Sequence, residues 1–226
     1  VADSTPIQIA IDGPSASGKG TVAKTVATAL GYTYLDSGAL YRAVALVGSR
    51  RGVDLDDGPA LAELIRSLSI CLGWEDGKLS LAVSGEEMAD VIRTEAIGQG
   101  ASRVAKLPEV REALLFLQRD LAKDGGVVVD GRDIGTVVLP RAELKIYLTA
   151  SVEVRAQRRH AEQLSRGVED TLKEVTAALI ARDHQDANRV HAPLREASDA
   201  VRVDSSAMGP SEVVAAIVAL AKSKTG

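Results

Sequence analysis

The sequence predicts an α/β protein: a five-stranded parallel sheet with helices on both faces, a small antiparallel β insert and a short helical lid. Three observations carry this prediction. Five short strand-like runs, at 7–11, 32–36, 127–130, 144–148 and 200–203, alternate with segments of helical spacing, as buried parallel strands do. A glycine-rich loop joins the first run to the first helical segment. Three further runs, at 69–72, 79–83 and 86–88, are short and partly alternating, and Asp76-Gly77 and Ser84-Gly85 between them read as hairpin turns.

In chain order, Ile7–Ile11 is a buried strand ending in Asp12-Gly13-Pro14. Thr21–Leu30 carries Val22, Val26, Ala29 and Leu30 at helical spacing, and Gly31 stops the helix. Tyr32–Asp36 is the second strand and Ser37–Val47 the second helix. Beyond the insert, Thr94–Val104 and Pro108–Lys123 read as helices, the second with a mixed face of Leu114, Leu117, Gln118 and Leu121. Gly125-Gly126 leads into the strand Val127–Asp130, and Leu144–Leu148 is the next. Val152–Leu164 is a helix dense in arginine, broken at Arg166-Gly167. Thr171–Asp183 is helical and Asp186–Pro193 irregular. Ala200–Val203 is the last strand, and Ser211–Lys222 closes the chain as an amphipathic helix with Ser211 as its N-cap.

Of the 226 residues, 46% are hydrophobic and 26% charged, enough apolar surface to exclude disorder of the whole. The single cysteine, Cys71, excludes an internal disulfide framework and a multi-cysteine metal site. No stretch approaches the ~18 consecutive apolar residues of a membrane span. The opening VADSTPIQIA lacks the basic and apolar segments of a secretory leader, so a soluble, reduced, cytoplasmic protein is expected. A net charge of -4 argues against bulk binding to nucleic acid or membrane. Aromatic content of 3% argues against stacking on single strands.

The loop Gly13-Pro14-Ser15-Ala16-Ser17-Gly18-Lys19-Gly20-Thr21 lies between strand and helix. Glycines let several N–H groups converge on a phosphate, and the helix N-terminus adds its dipole. Lys19 is placed to reach terminal phosphates. The strict G-x-x-x-x-G-K-[ST] pattern is broken by Gly20, with Thr21 one place later; such GKGT loops suit kinases of small molecules. Asp36-Ser37-Gly38-Ala39-Leu40-Tyr41-Arg42 and Asp130-Gly131-Arg132-Asp133-Ile134-Gly135 follow other core strands. Ligands of open α/β sheets bind beyond the carboxyl ends of strands, so both clusters face the same rim. Arg155, Arg158 and Arg159 form one cationic stripe, and Arg182, Asp186 and Arg189 another. A helix, a break and a second helix with arginines at both ends read as a lid that closes over phosphates.

The segments IDGPSASGKGT at 11–21, LDSGALYR at 35–42, IRT at 92–94, VAKLPEVREALLFLQR at 104–119, DGRDIGTVV at 130–138 and ARDHQDANRVHAPL at 181–194 together resemble the bacterial cytidylate kinases. The resemblance implies transfer of a phosphoryl group from ATP to CMP or dCMP, with Mg²⁺. It implies a core made of 1–36, 105–154 and 193–226, a monophosphate-binding region at 37–104 and a lid at 155–192. Lys19 and the loop would hold the ATP phosphates, with Arg155, Arg158 and Arg159 as helpers. Ser37, Arg42, Arg132 and Arg189 would hold the CMP phosphate, and Ser102, Arg111 and Asp133 would read cytosine. Arg182 and Asp186 would contact the ribose. Lys19, Arg132, Arg158 and Arg189 are the expected catalytic set. No resident protein-bound metal is expected, nor a nucleic-acid or membrane partner, and the chain is expected to act as a monomer. Two alternatives compete: a kinase of UMP or a non-nucleotide acceptor on the same core, and an ATP-binding regulator without chemistry. A panel of acceptors separates the first. The second should lack the loop lysine or the acceptor arginines, and Lys19, Arg42 and Arg132 are present.

Overall fold

The computed structural model describes residues 5–75 and 78–225. Its core strands are β1 (Gln8–Asp12), β2 (Thr33–Asp36), β6 (Val127–Gly131), β7 (Leu144–Thr149) and β8 (Val201–Asp204). They form one parallel sheet in the order β2-β6-β1-β7-β8. The prediction of a five-stranded parallel sheet holds. Alternation along the strands divides their side chains between two cores. Ile9, Ile11, Val128, Leu144 and Ile146 pack on one side, with α1 (Lys19–Leu30) and α8 (Pro210–Lys224). Ala10, Val127 and Val129 pack on the other, with α2 (Ser37–Arg50) and α5 (Pro108–Ala122). Burial on both faces is why these runs carry so few polar residues.

The insert comprises β3 (Ile70–Glu75), β4 (Lys78–Val83) and β5 (Glu86–Glu87), paired antiparallel. Ser84 and Gly85 both adopt positive φ, 50° and 87°, which is what a tight two-residue turn between paired strands requires. The expected Asp76-Gly77 turn lies outside the described residues. The helix α4 (Glu95–Val104) follows, with Thr94 as its N-cap. The helices α6 (Val152–Ser165) and α7 (Leu172–Ala187) pack on each other through Ala156, Val175 and Leu179, and Ala16 of the glycine-rich loop joins that small core.

The structure corrects three expectations. A helix unforeseen by the sequence reading, α3 (Gly58–Ser67), is capped by Asp57 and buries Leu61, Leu64 and Ile65 against the α5 side of the sheet. The segment from Asp186 is not irregular from its start, because α7 runs on to Ala187. Buried ion pairs of Asp186 with Arg132 and Arg189 hold that last turn. Ser211 does not cap α8. The cap is Gly209, with Pro210 at the first helical position, and Glu212 Oε2 accepts from the Gly209 N–H at 2.6 Å. No helix among the described residues is long and apolar enough to cross a membrane.

Candidate functional site

The carboxyl ends of β1, β2 and β6 open onto one rim, and the sequence places a polar cluster after each. After β1, Gly13 has φ 150°, and a Cβ there would stand 2.0 Å from the Leu148 carbonyl oxygen. Only glycine lets the loop leave the sheet this close to β7. Ala16 at φ 58° and Gly18 at φ 87° then turn the chain into α1. Arg155 is buried and braces the loop from behind. It donates to Ser15 O at 3.1 Å and to Ala150 O at 3.0 Å, and it pairs with Asp183 at 2.6 Å. Lys19 is also buried and donates to Pro14 O at 2.7 Å and to Ser17 Oγ at 3.4 Å. Burial, followed by the nearby charge of Arg132, lowers its pKa to about 7.

After β2, Asp36 caps α2 by accepting from the Ala39 N–H at 3.0 Å. It also pairs with Arg42 at 2.6 Å. Ser37 donates to the Asp130 carbonyl at 2.7 Å, which ties the start of α2 to β6. After β6, the chain bends sharply because Asp12 accepts from the N–H groups of Ile134 and Gly135, at 2.8 and 2.7 Å. Burial raises the Asp12 pKa to about 6. The turn continues as a π-helical stretch, Ile134–Val138, whose last carbonyls accept from Arg119 at 2.8 and 2.9 Å. Arg132 and Asp133 are thereby fixed at the rim.

A cavity of about 370 Å³ lies above these ends. Of the expected residues, it brings together Lys19, Ser37, Arg42, Ser102, Arg111, Arg132, Asp133, Arg159, Arg182, Asp186 and Arg189. Its arginines are arranged around carboxylates. Asp186 pairs with Arg132 at 2.8 Å and also with Arg189. Burial opposes its ionisation, but the two arginines outweigh burial and hold its pKa below the usual value. Asp133 pairs with Arg111 and is nevertheless raised by burial. Arg182 is lowered to about 10 by burial and then by Arg132. The Nε atoms of Arg42, Arg182 and Arg189 are buried without a hydrogen-bond partner. Buried unsatisfied donors are costly, and these three belong to residues that line one cavity, whose arginines offer an entering anion positive charge.

Arg158 lies elsewhere. It donates to Ser205 Oγ at 3.0 Å and to Ser205 O at 2.7 Å. With Arg159, Gly18, Thr21, Met208 and Pro210 it lines a second cavity of about 370 Å³ on the outer side of the loop. Ala16, Gly18, Thr21, Arg159 and Glu162 border both cavities. The sequence reading placed Asp36 and Asp130 in rim clusters and Arg93 in the IRT segment without giving them a role, and it missed Tyr34 of the first cavity and Ser205, Met208 and Pro210 of the second. The position of Asp36 and Asp130 at strand ends was a usable signal; nothing in the local sequence marks the stretch after β8.

A loop that cradles phosphate, one cavity lined by arginines and a second across the loop describe a phosphoryl-transfer enzyme with two substrates. Comparison with known proteins gives the same answer. The chain is 47% identical over 216 residues to a cytidylate kinase of Exiguobacterium sibiricum, covering 96% of this chain and 97% of that one. It is 48% identical over 220 residues to a cytidylate kinase of Geobacillus kaustophilus, covering 97% and 98%. A solved gluconokinase from Sinorhizobium meliloti shares the fold, with a TM-score of 0.51 at 16% identity, over 98% of this chain and 94% of that one. The family model for cytidylate kinase matches residues 9–223, from β1 into α8, and with both cavities inside that span the chain belongs to the cytidylate kinase family.

Proposed function

We propose that the chain transfers the γ-phosphoryl group of ATP to CMP or dCMP, giving ADP and CDP or dCDP. The observation that carries this reading is the convergence of Arg42, Arg111, Arg132, Arg182 and Arg189 on the cavity beside Lys19. In this reading the first cavity takes the acceptor. The second takes the donor base, between Arg158 on one side and Met208 and Pro210 on the other. The packed pair α6 and α7 serves as the lid, and residues 37–104 hold the monophosphate.

The reaction needs alignment more than acid–base chemistry. An oxygen of the acceptor phosphate, ionised near neutral pH, attacks the γ-phosphorus. The bond from that phosphorus to its bridging oxygen breaks, and ADP leaves. Lys19 and Arg159 neutralise the donor side, while Arg132, Arg189 and Arg42 hold the acceptor phosphate in line. Asp36 and Asp130 are register partners on adjacent strands and line the same cavity. Burial and then the neighbouring Asp36 raise the Asp130 pKa to about 6. Asp130, with one oxygen turned toward the loop, and the neighbouring Asp36 would offer oxygen ligands to a divalent cation that takes its remaining ligands from water and phosphate. Mg²⁺ carried in with ATP would supply charge neutralisation for the donor phosphates. A coupled assay of ADP release with CMP, dCMP, UMP and AMP tests the reading. CMP and dCMP turn over; equal turnover of AMP would sink it.

Ser102, Arg111 and Asp133 form the base-reading wall. Asp133 accepts from the cytosine amine, where uracil has a carbonyl oxygen. The Asp133→Asn amide can rotate and donate to that oxygen. A well-made polar base contact is worth roughly 1–3 kcal/mol, so the CMP/UMP ratio of kcat/KM falls by about one to two powers of ten. If Asp133 only braces Arg111, both acceptors lose activity together and the ratio stays put.

The lowered pKa of Lys19 has a calorimetric signature. Near pH 7 the free protein carries Lys19 about half protonated, and donor phosphates favour the charged form. ATP binding near pH 7 therefore takes up about half a proton at Lys19, and affinity falls as pH rises above about 7. Titration calorimetry in buffers of different ionisation enthalpy measures the uptake. Buffer-independent heats would show that Lys19 is already fully charged.

A further inference from the structure

We infer that Tyr34 is a positioning residue for phosphoryl transfer: its hydroxyl aims the Asp130 carboxylate, and Gly20 places no rival hydroxyl beside that carboxylate. The inference rests on the proposed donor and acceptor sites. Tyr34 lies on β2 and is 1% exposed, yet its hydroxyl reaches the first cavity and donates to Asp130 Oδ1 at 2.8 Å. Its ring has no freedom. Trp74 of the insert packs edge-on against it, with centroids 5.0 Å apart and planes at 81°. The Lys24 ammonium lies over the Tyr34 ring at 5.7 Å and over the Trp74 ring at 5.5 Å. Such edge-to-face and cation–π contacts fix an aromatic ring in one orientation.

The phosphate loop complements this arrangement. A Cβ at Gly20 would stand 3.6 Å from the Tyr34 hydroxyl and 3.9 Å from Asp130 Oδ2. The strict motif carries Ser or Thr at this place. A hydroxyl there would compete with Tyr34 for the same carboxylate. With glycine, Oδ1 belongs to the phenol, and Oδ2 is the Asp130 oxygen turned toward the loop. The consequence concerns Lys19. Asp130 acts on Lys19 and on Arg132 electrostatically, and all three line one cavity. A carboxylate released from Tyr34 can turn onto either cation and draw it away from phosphate. Held by Tyr34, it keeps one oxygen available to the hydrated cation of the donor nucleotide.

The test compares the whole protein with Tyr34→Phe, Asp130→Asn and the double variant. A hydrogen bond to a charged group is worth roughly 1.5–3 kcal/mol, so kcat of Tyr34→Phe falls about tenfold or more, with KM for CMP within about twofold and KM for ATP raised in step with the lost Mg²⁺-dependent affinity. The second measurement needs no turnover. Calorimetry compares binding of a non-hydrolysable ATP analogue with Mg²⁺ and with chelator. The gain in affinity that Mg²⁺ brings to the parent shrinks about tenfold in Tyr34→Phe. In the double variant it shrinks no further than in Asp130→Asn, because the phenol acts through that carboxylate. Losses that add in the double variant, or a Mg²⁺ gain unchanged in Tyr34→Phe, overturn the inference. A parent that does not turn over CMP sinks the acceptor reading instead, and the calorimetric comparison still decides the role of Tyr34.

Discussion

Lys19→Ala loses phosphoryl transfer by about three powers of ten or more, while the protein stays folded. The magnitude follows from what preorganised charge does in a water-excluded site, where one such group contributes several kcal/mol to the transition state. Lys19 is buried with its ammonium on Pro14 O and near Arg132, so the apo protein gains little from it. A desolvated cation beside another cation opposes folding more than it favours it, which is the meaning of its lowered pKa. The same sign gives the pH dependence of its contribution. A folded pKa of about 7 against the 10.5 of a free lysine means the charged lysine weakens the empty fold below pH 7, and stability rises toward pH 10. Lys19→Ala therefore keeps the circular dichroism of the parent and melts no lower than it, and a coupled assay shows the loss. Activity within a few-fold of the parent would remove Lys19 from the transfer path.

Arg132→Ala cripples transfer to CMP by on the order of a thousandfold, as loss of a charge-neutralising arginine on such a path does. ATP affinity holds, because Arg132 sits on the acceptor side with Asp186 and Arg189. This residue, unlike Lys19, also has a structural debt. Asp186 is 1% exposed and shares its two oxygens between Arg132 and Arg189. Removing one partner leaves a buried carboxylate half-compensated, so some stability is lost too. The double variant Arg132→Ala/Asp186→Asn separates the two effects. It recovers melting temperature without recovering turnover. If ATP affinity collapses instead while CMP affinity holds, the donor and acceptor cavities have been exchanged.

The sheet was legible because both faces of the three inner strands β6, β1 and β7 are buried, so local apolarity and strand position coincide there. The phosphate loop was legible because its backbone demands glycine at 13 and 18. The lesson of α3 is different: Asp57, Pro59, Leu61, Leu64 and Ile65 are an ordinary cap and apolar face, present in the sequence but overlooked beside the louder insert. The last turn of α7 was not legible, since Asp186 reads as solvated until Arg132, 54 residues away, is seen to bury it. Tyr34 reads as one more strand residue for the same reason; its partner Asp130 lies 96 residues on. Arg158 shares a helical stripe with Arg155 and Arg159, but the helix turns the three toward a brace, an outer cavity and the boundary between cavities. Spacing along a helix gives a face, and only the packing of α6 on the loop divides that face into roles.

The helix α7 joins two contacts that lie three residues apart. Asp183 accepts from the Ser15 N–H at 3.4 Å and pairs with Arg155, the brace of the donor loop. Asp186 grips the acceptor arginines. On the proposed assignment one turn of helix braces both substrate sites, and coupled binding of the two nucleotides is the expected result. By thermodynamic reciprocity, whatever factor the donor lends to acceptor affinity, the acceptor returns to the donor in full.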